Sequence, residues 1–178
     1  MQLETVQQPF CKPAGHMGYA PSGALLDTRV EKRPAANSAV HQILSGNRLH
    51  LQHGPIDLII VADAPESVRS QAYALAIRRF ETLLEELVAE LHVLRTPWSN
   101  VFPEVQGLVG KRMVEAVKDS EVLITPMAAV AGAVADEIRD VMLEAPGLQR
   151  VMVNNGGDIA FWLSPGTQCR IGVVNLPE

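Results

Sequence analysis

A long amphipathic helix is the feature that most constrains how this chain can fold. Between residues 65 and 95, leucines recur at helical spacing with charged residues between them, at Leu75, Leu83, Leu87, Leu91 and Leu94. Asp63 or Ala64, followed by Pro65-Glu66, is typical of a helix start, and Thr96-Pro97 ends the pattern. A helix of about thirty residues is roughly 45 Å long at 1.5 Å per residue. We expect its leucine stripe to pack on a sheet.

Strand-like runs lie on both sides of this helix. They are Val40–Leu44, Arg48–Gln52 and Asp57–Ala62 before it, and Val151–Asn154, Ile159–Leu163 and Cys169–Val174 after it. Ser45-Gly46-Asn47 is a plausible hairpin turn, and Ser164-Pro165-Gly166 joins the last two runs. Two further helices are predicted over Glu104–Lys118 and Pro126–Glu144. This order predicts an α+β fold, with helices packed on one face of a mostly antiparallel sheet.

Length and composition indicate a single globular domain. The chain has 178 residues, of which 47% are hydrophobic, and this suits one sizeable core. Residues 1–23 are rich in proline, glycine and glutamine, so we expect a loosely ordered N-terminal arm. The domain itself is predicted to span residues 24–178.

Charge and hydropathy exclude several functional classes. The net charge is −5, no lysine- or arginine-rich run occurs, and aromatic residues make up 4%, so nucleic-acid binding is not expected. The N-terminal ten residues lack the pattern of a signal peptide. The longest apolar run, Val122–Ala135, is too short for a bilayer and contains a proline. Cys11 and Cys169 suit reduced thiols rather than a disulfide framework. We therefore expect a cytoplasmic protein without a membrane partner.

Two motifs with a superficial likeness to binding sites are set aside. His50 and His53 would point to opposite faces of a strand, so they are not expected to share a metal ion. The stretch Gly107–Arg112 has a faint likeness to a phosphate loop. The full pattern requires glycine at 105 and serine or threonine at 112, where this chain has Val105 and Arg112.

The start of the third predicted helix is a candidate binding segment. Thr125 can cap a helix, Pro126 suits the first helical position, and tiny residues then line the first two turns. One interpretation is close packing of this helix on a sheet. The other is that an exposed helix start without bulky side chains binds a phosphate or pyrophosphate.

A second candidate segment is the corner Asn154–Asp158, with sequence NNGGD. The asparagines tolerate left-handed torsions, the glycines accept almost any torsion, and Asp158 can bond the amides of the turn. A structural corner explains all five residues. Alternatively, Gly156 and Gly157 provide a backbone surface that a flat or anionic ligand approaches closely.

Together, PMAAVAGAVADE and VNNGGDIAF resemble the ApbE-like superfamily of FAD:protein FMN transferases, and most closely its short cytoplasmic branch. The similarity runs from about Ala39 to the carboxyl end. The resemblance implies a T-fold-like architecture, FAD or a related nucleotide as ligand, a magnesium ion, and transfer of FMN to a target protein. It assigns the flavin site to Thr125, Met127, Ala128, Ala129, Asn154, Asn155, Gly156, Gly157 and Asp158. The backbone carbonyl near Ala128 would bind the magnesium ion.

The chain also departs from this family pattern. Thr125 stands where the transferases have an acidic residue, and Ala131 where they have lysine or glutamate. A C-terminal segment that supplies an aspartate and a threonine to the metal is expected to be missing. Two functions therefore stay open. One is a magnesium-dependent flavin transferase or hydrolase, with no catalytic residue assigned. The other is a non-catalytic module that binds a flavin or nucleotide, or that assembles into a homo-oligomer.

Overall fold

The frame of the structure is a five-stranded antiparallel sheet whose strands follow one another in chain order. The computed structural model describes residues 38–97 and 104–170, which belong to one unit. The strands are β1 Val40–Leu44, β2 Arg48–His53, β3 Ile56–Asp63, β4 Arg150–Asn155 and β5 Asp158–Leu163. The predicted arm, residues 1–23, lies outside the described residues.

Helices fill the connection between β3 and β4. They are α1 Glu66–Ala89, α2 Leu91–Leu94, α3 Leu108–Val117 and α4 Val130–Met142, with a 3-10 turn at Pro126–Ala129 directly before α4. Helix α1 packs on β2 and β3, α4 packs on β4 and β5, and the two helices contact each other. Helix α3 packs on α4 and on the 3-10 turn. The predicted α+β class with an antiparallel sheet is therefore confirmed.

Strand alternation explains why the helices pack where they do. The inward-facing side chains of the central strands are fully buried, at Leu49, Leu51, Leu58, Ile60, Val151 and Val153. Their neighbours along each strand are exposed or half-buried. Because successive strand residues point to opposite faces, one face of the sheet forms the core with α1 and α4. We call the opposite surface the outer face.

The long helix is shorter than predicted, because it is interrupted at Glu90. The backbone there has φ −102° and ψ 3°, which separates α1 from the single turn of α2. The Glu90 carboxylate accepts hydrogen bonds from the backbone N–H groups of Gln106 and Gly107. These groups precede α3, which begins at Leu108 instead of at the predicted Glu104. Glu90 thus supplies a carboxylate to the amino end of α3, where negative charge is stabilising.

The glycines of the phosphate-loop-like stretch make room for this carboxylate. A Cβ atom at Gly107 would lie 2.9 Å from Oε2 of Glu90, and one at Gly110 would lie 2.7 Å from the same oxygen. Such distances require the carboxylate to move. The spacing of these two glycines therefore has a packing cause that involves no phosphate.

We predict that Glu90→Ala destabilises the domain by about 2 kcal/mol, because two backbone N–H groups lose a charged acceptor. Gly110→Ala should be destabilising in the native sequence. In the Glu90→Ala background it should instead stabilise by up to about 1 kcal/mol, since alanine is the better helix former. Urea unfolding of the four proteins measures the coupling.

Glu85→Ala on α1 is the matched control, because Glu85 is exposed, and it should stay within about 0.5 kcal/mol of the native protein. Equal effects of Gly110→Ala in both backgrounds would contradict the role of Glu90.

Other predicted boundaries are also corrected. The leucine stripe is buried at Leu83, Leu87 and Leu94, but Leu75 and Leu91 are only half-buried. Two alanines and two aromatic residues complete the buried face of α1, and they are Ala72, Tyr73, Ala76 and Phe80.

The predicted helix Pro126–Glu144 is divided at Ala129, where φ is −101° and ψ is 5°, and its regular part ends at Met142. Thr125 makes no side-chain capping hydrogen bond, so its predicted capping role is wrong. Residues 169 and 170 of the predicted strand Cys169–Val174 lie in no strand, and the remainder falls outside the described residues.

An ion network around the buried Glu137 joins α1, α3 and α4. The Glu137 carboxylate, whose side chain is 4% exposed, accepts a 2.7 Å hydrogen bond from Nε of Arg79 on α1 and lies 3.6 Å from Arg112 on α3. Arg79 also bonds both carboxylate oxygens of Glu86 at 2.8 Å. The hydrogen bond from Arg79 holds the pKa of Glu86 below its ordinary value. Burial raises the pKa of Asp140, but hydrogen bonds from Arg139 and Arg112 outweigh it, and the net pKa is lowered.

We predict that Arg79→Met destabilises the domain by about 3 kcal/mol at neutral pH, because it leaves the buried Glu137 with Arg112 as a more distant partner. A carboxylate with a lowered folded pKa contributes stability above its unfolded pKa, and loses it as pH falls through the folded value. The destabilisation should therefore shrink as pH falls below 4.5, the ordinary value for Glu86. Urea unfolding from pH 7 to pH 3 measures this trend.

The double variant Arg79→Met/Glu137→Met should recover most of the lost stability, since no buried charge then remains unpaired. A constant effect of Arg79→Met across this pH range would contradict the prediction.

Candidate functional site

The NNGGD corner is a tight hairpin between β4 and β5. Asn155 pairs directly with Asp158, so Gly156 and Gly157 form a two-residue loop. Their φ angles are +62° and +114°, and two positive angles at the centre of such a loop are typical of a type I′ turn. Oδ1 of Asn154, rather than Asp158 as predicted, accepts the 2.9 Å hydrogen bond from the Gly157 N–H.

The two glycines are required by torsion and not by crowding. A Cβ atom at either position would meet no heavy atom within 4 Å. The structural-corner interpretation therefore accounts for both glycines, and the open space beside them leaves the turn accessible.

We predict that Gly157→Ala destabilises the domain by about 1–3 kcal/mol, since L residues rarely adopt its φ angle. Gly132→Ala is the matched control, because Gly132 lies in α4 without a positive φ angle and also faces open space. There alanine should be neutral or stabilise by up to about 1 kcal/mol. Thermal melts of both variants measure these effects. An unchanged melting temperature in Gly157→Ala would contradict the torsional requirement.

The small-residue segment lies against this corner. Nδ2 of Asn155, a residue that is 9% exposed, donates a 3.0 Å hydrogen bond to the Ala131 carbonyl near the start of α4. This bond ties the end of β4 to the junction of the 3-10 turn and α4. The structure therefore brings the two predicted segments together. The α-helix itself begins at Val130, so the first four residues of the predicted helix, Pro126–Ala129, form a 3-10 turn.

An apolar cavity lies on one side of this junction. Its volume is about 470 Å³, and α1 supplies much of its wall through Leu84, Leu87 and Val88. Met127 and Val130 line it from the junction. Its polar lining residues include Arg95 and Asn155. This apolar cavity can hold a largely hydrophobic group with a polar or anionic end.

A polar cleft lies on the other side. Its volume is about 270 Å³, and Ala128, Ala129 and Gly132 form its small-residue wall. Arg112, Asp136 and Asp158 bring one cation and two carboxylates to it. Arg112 donates to Asp140 at 2.6 Å, and Asp136 accepts from Arg139 at 2.5 Å. The polar cleft therefore offers carboxylate oxygens and one guanidinium group. Ion pairs with neighbouring side chains already engage Arg112 and Asp136.

The predicted site residues divide between these two hollows. Met127 and Asn155 line the apolar cavity, whereas Ala128, Ala129 and Asp158 line the polar cleft. The remaining predicted residues line neither, and they are Thr125, Asn154, Gly156 and Gly157.

Sequence reasoning missed the lining residues that come from other helices, among them Val88, Arg95 and Arg112. Val88 is 58% exposed. Its position one turn after Leu84, at the border of the apolar stripe, is the signal that could have indicated a cavity.

The histidines lie as their strand positions predict. His50 is on the outer face, 3.1 Å from Asp57, and His53 is buried on the inner face. Within residues 38–97 and 104–170, no group of three His, Cys, Asp or Glu side chains is arranged to hold a metal ion. Magnesium binding at the Ala128 carbonyl stays a prediction.

None of the described helices is long and apolar enough to cross a membrane. The expectations of a cytoplasmic location and of no nucleic-acid partner stay predictions.

The fold, the apolar cavity and the polar cleft define a class of α+β domain. Such a domain has one antiparallel sheet, a layer of helices, and a hairpin corner where the sheet meets the helices. A family model described as AbpE bacteria matches residues 40–177, and the chain belongs to this family. No curated protein and no solved structure matches the chain.

The family match corrects the recognition drawn from the two motifs. The chain was expected to be an ApbE-like relative of FAD:protein FMN transferases, and this assignment is wrong, because the matching family is AbpE bacteria. Local structure explains how the motifs misled. The glycine pair is set by the torsions of a two-residue turn, and the buried alanines of the second motif, Ala133 and Ala135, belong to α4, which packs on β4 and β5.

Proposed function

We propose that this domain is a non-catalytic module that binds a flavin or a related nucleotide. The observation that supports it is the placement of the apolar cavity and the polar cleft on the two sides of one junction. Residues of the 3-10 turn, of α4 and of the β4–β5 corner contribute to both. A ligand with a flat apolar part and a charged part suits such a pair. FMN transfer is not part of the proposal, since the family match removes its basis.

The apolar cavity would take the ring system. Its volume of about 470 Å³ lies within the range of ordinary ligand sites, about 300–1,000 Å³. Leucine, valine and methionine side chains offer dispersion contacts to a flat ring. The Asn155 side chain and the Arg95 guanidinium would orient its polar edge or an attached phosphate.

The polar cleft would take the charged part together with magnesium. The Asp136 and Asp158 carboxylates and the Ala128 carbonyl are hard oxygen donors of the kind that Mg²⁺ prefers. Magnesium is usually held by one or two carboxylates plus the phosphates of the ligand, so this donor set fits the ion. Without the ion, the two carboxylates would repel a phosphate, and Arg112 alone would attract it. We therefore propose that magnesium strengthens binding of a pyrophosphate.

Two finer expectations accompany this proposal. A T-fold-like assignment agrees with the unbroken antiparallel strand order and the helices on one face. A homo-oligomer is also expected, and sedimentation analysis of the purified chain tests it.

We predict that calorimetry detects binding of FMN and FAD, with FAD bound several-fold more tightly when magnesium is added. Ala131→Leu should weaken both ligands at least tenfold, because its larger side chain enters the apolar cavity. Asp158→Asn should remove the magnesium effect and leave FMN binding unchanged. The measurement is the dissociation constant for FMN, FAD and ADP, each with and without magnesium.

The matched control is Ala74→Leu, the same substitution at an exposed position of α1 that lines neither hollow. It should bind as the native protein does. No heat with any of the three ligands, or equal affinities for Ala131→Leu and the native protein, would defeat the proposal.

A further inference from the structure

The outer face of the sheet carries apolar side chains on its last two strands. Met152 pairs with Phe161 across β4 and β5, and Arg150 pairs with Leu163, so these four side chains lie on the same face. Phe161 is 50% exposed, and Ile159, two residues before it, is 51% exposed. These side chains retain apolar surface in contact with solvent.

A cavity opens between these side chains and the chain that follows β5. Its volume is about 420 Å³, and Met152, Ile159, Phe161 and Leu163 form its apolar lining. Arg150, Cys169 and Arg170 complete its wall. We call it the outer cavity. It lies on the face opposite to α1 and α4, so it is separate from the apolar cavity and the polar cleft.

Arg150 has an incompletely satisfied guanidinium group in this wall. Its Nη2 bonds Oδ2 of Asp63 at 2.8 Å. Its Nε is fully buried and has no hydrogen-bond partner in the described part of the chain. Because Nε has no accessible surface, a ligand in the cavity can reach only the exposed part of the guanidinium group, and the Arg150 side chain is 34% exposed. Carboxylates are the acceptors whose geometry a guanidinium group matches best.

The charges around the outer cavity specify how many negative charges the acceptor should carry. Asp63 neutralises Arg150, with which it pairs. Arg170, which also lines the cavity, leaves a net charge of one positive unit among the described residues around it. A ligand with one negative charge balances this charge, whereas a second carboxylate would be repelled by Asp63.

We propose that the outer cavity binds a single-chain amphiphile with one carboxylate, such as a medium-chain fatty acid. The alkyl chain lies against Met152, Ile159, Phe161 and Leu163. The carboxylate lies against the exposed part of the Arg150 guanidinium group and faces the charge of Arg170. The apolar recess beside these two cations favours a free amphiphile over a membrane surface, which would offer the same headgroup without entering the recess.

Cys169 provides a direct test, because it lines the outer cavity and is a free, half-buried thiol. In a Cys11→Ser background, the full chain is treated with iodoacetamide and Cys169 modification is followed by mass spectrometry. Decanoate, below its micelle-forming concentration, should slow modification at least fivefold with saturable 1:1 binding. Decanol and the dicarboxylate sebacate should give at least tenfold weaker protection.

Variants then separate recognition from nonspecific adsorption. Arg150→Met should reduce decanoate affinity at least tenfold, and Met152→Trp, which fills the recess, should abolish protection. Arg48→Met is the matched control, since Arg48 does not line the outer cavity, and it should bind decanoate normally. A far-ultraviolet spectrum identical to that of the native protein shows that each variant is folded.

Several results would overturn the proposal. Two of them are equal protection by decanol and decanoate, and an unchanged decanoate affinity in folded Arg150→Met. The others are capture of the protein by anionic phosphatidylglycerol vesicles without any effect of free decanoate, and a protein-concentration-dependent dimer that protects Cys169 without ligand.

Discussion

The pairing of β3 with β4 is the constraint on which the rest of the fold depends. The two strands lie side by side from Leu58 opposite Asn155 to Asp63 opposite Arg150, although residues 64–149 separate them in the chain. This pairing confines every helix of the described residues to one connection. The buried side chains of both strands then give that connection a single apolar surface to cover. Once α1 and α4 cover it, α3 can pack only on the helices, which is where it lies.

Local signals predicted the elements that depend on neighbours in sequence. The turn at Ser45–Asn47 follows from the positive φ angles that Gly46 and Asn47 accept, and the NNGGD corner follows from the same rule. The periodicity of α1 is also local. Its interruption at Glu90 is not, because the cause is a hydrogen bond to backbone groups sixteen and seventeen residues further along. The break at Ala129 and the irregular course of Cys169 and Arg170 likewise gave no local signal.

The two segments of the candidate site were predictable from the sequence, but the side chains that enclose its apolar cavity were not. Both predicted segments contribute residues to one junction, through the hydrogen bond between Asn155 and Ala131. Several of the side chains that enclose the apolar cavity come from α1 and α2, and only the packing of these helices brings them there. The two motifs also have ordinary structural causes. A resemblance between short motifs was therefore not enough to identify the family of the whole chain.

The buried network of Arg79, Glu137 and Arg112 has a consequence for the mechanics of the helical layer. Apolar contacts between helices are tolerant of sliding, because one leucine can replace another against the same surface. A slide of α1 by one turn, about 5.4 Å, would carry the Arg79 guanidinium out of reach of Glu137 and leave this buried carboxylate with only the more distant Arg112. The ion network therefore fixes the longitudinal position of α1 relative to α4. Since α1 forms one wall of the apolar cavity and α4 another, the same bonds fix which side chains of α1 and α4 line that cavity together.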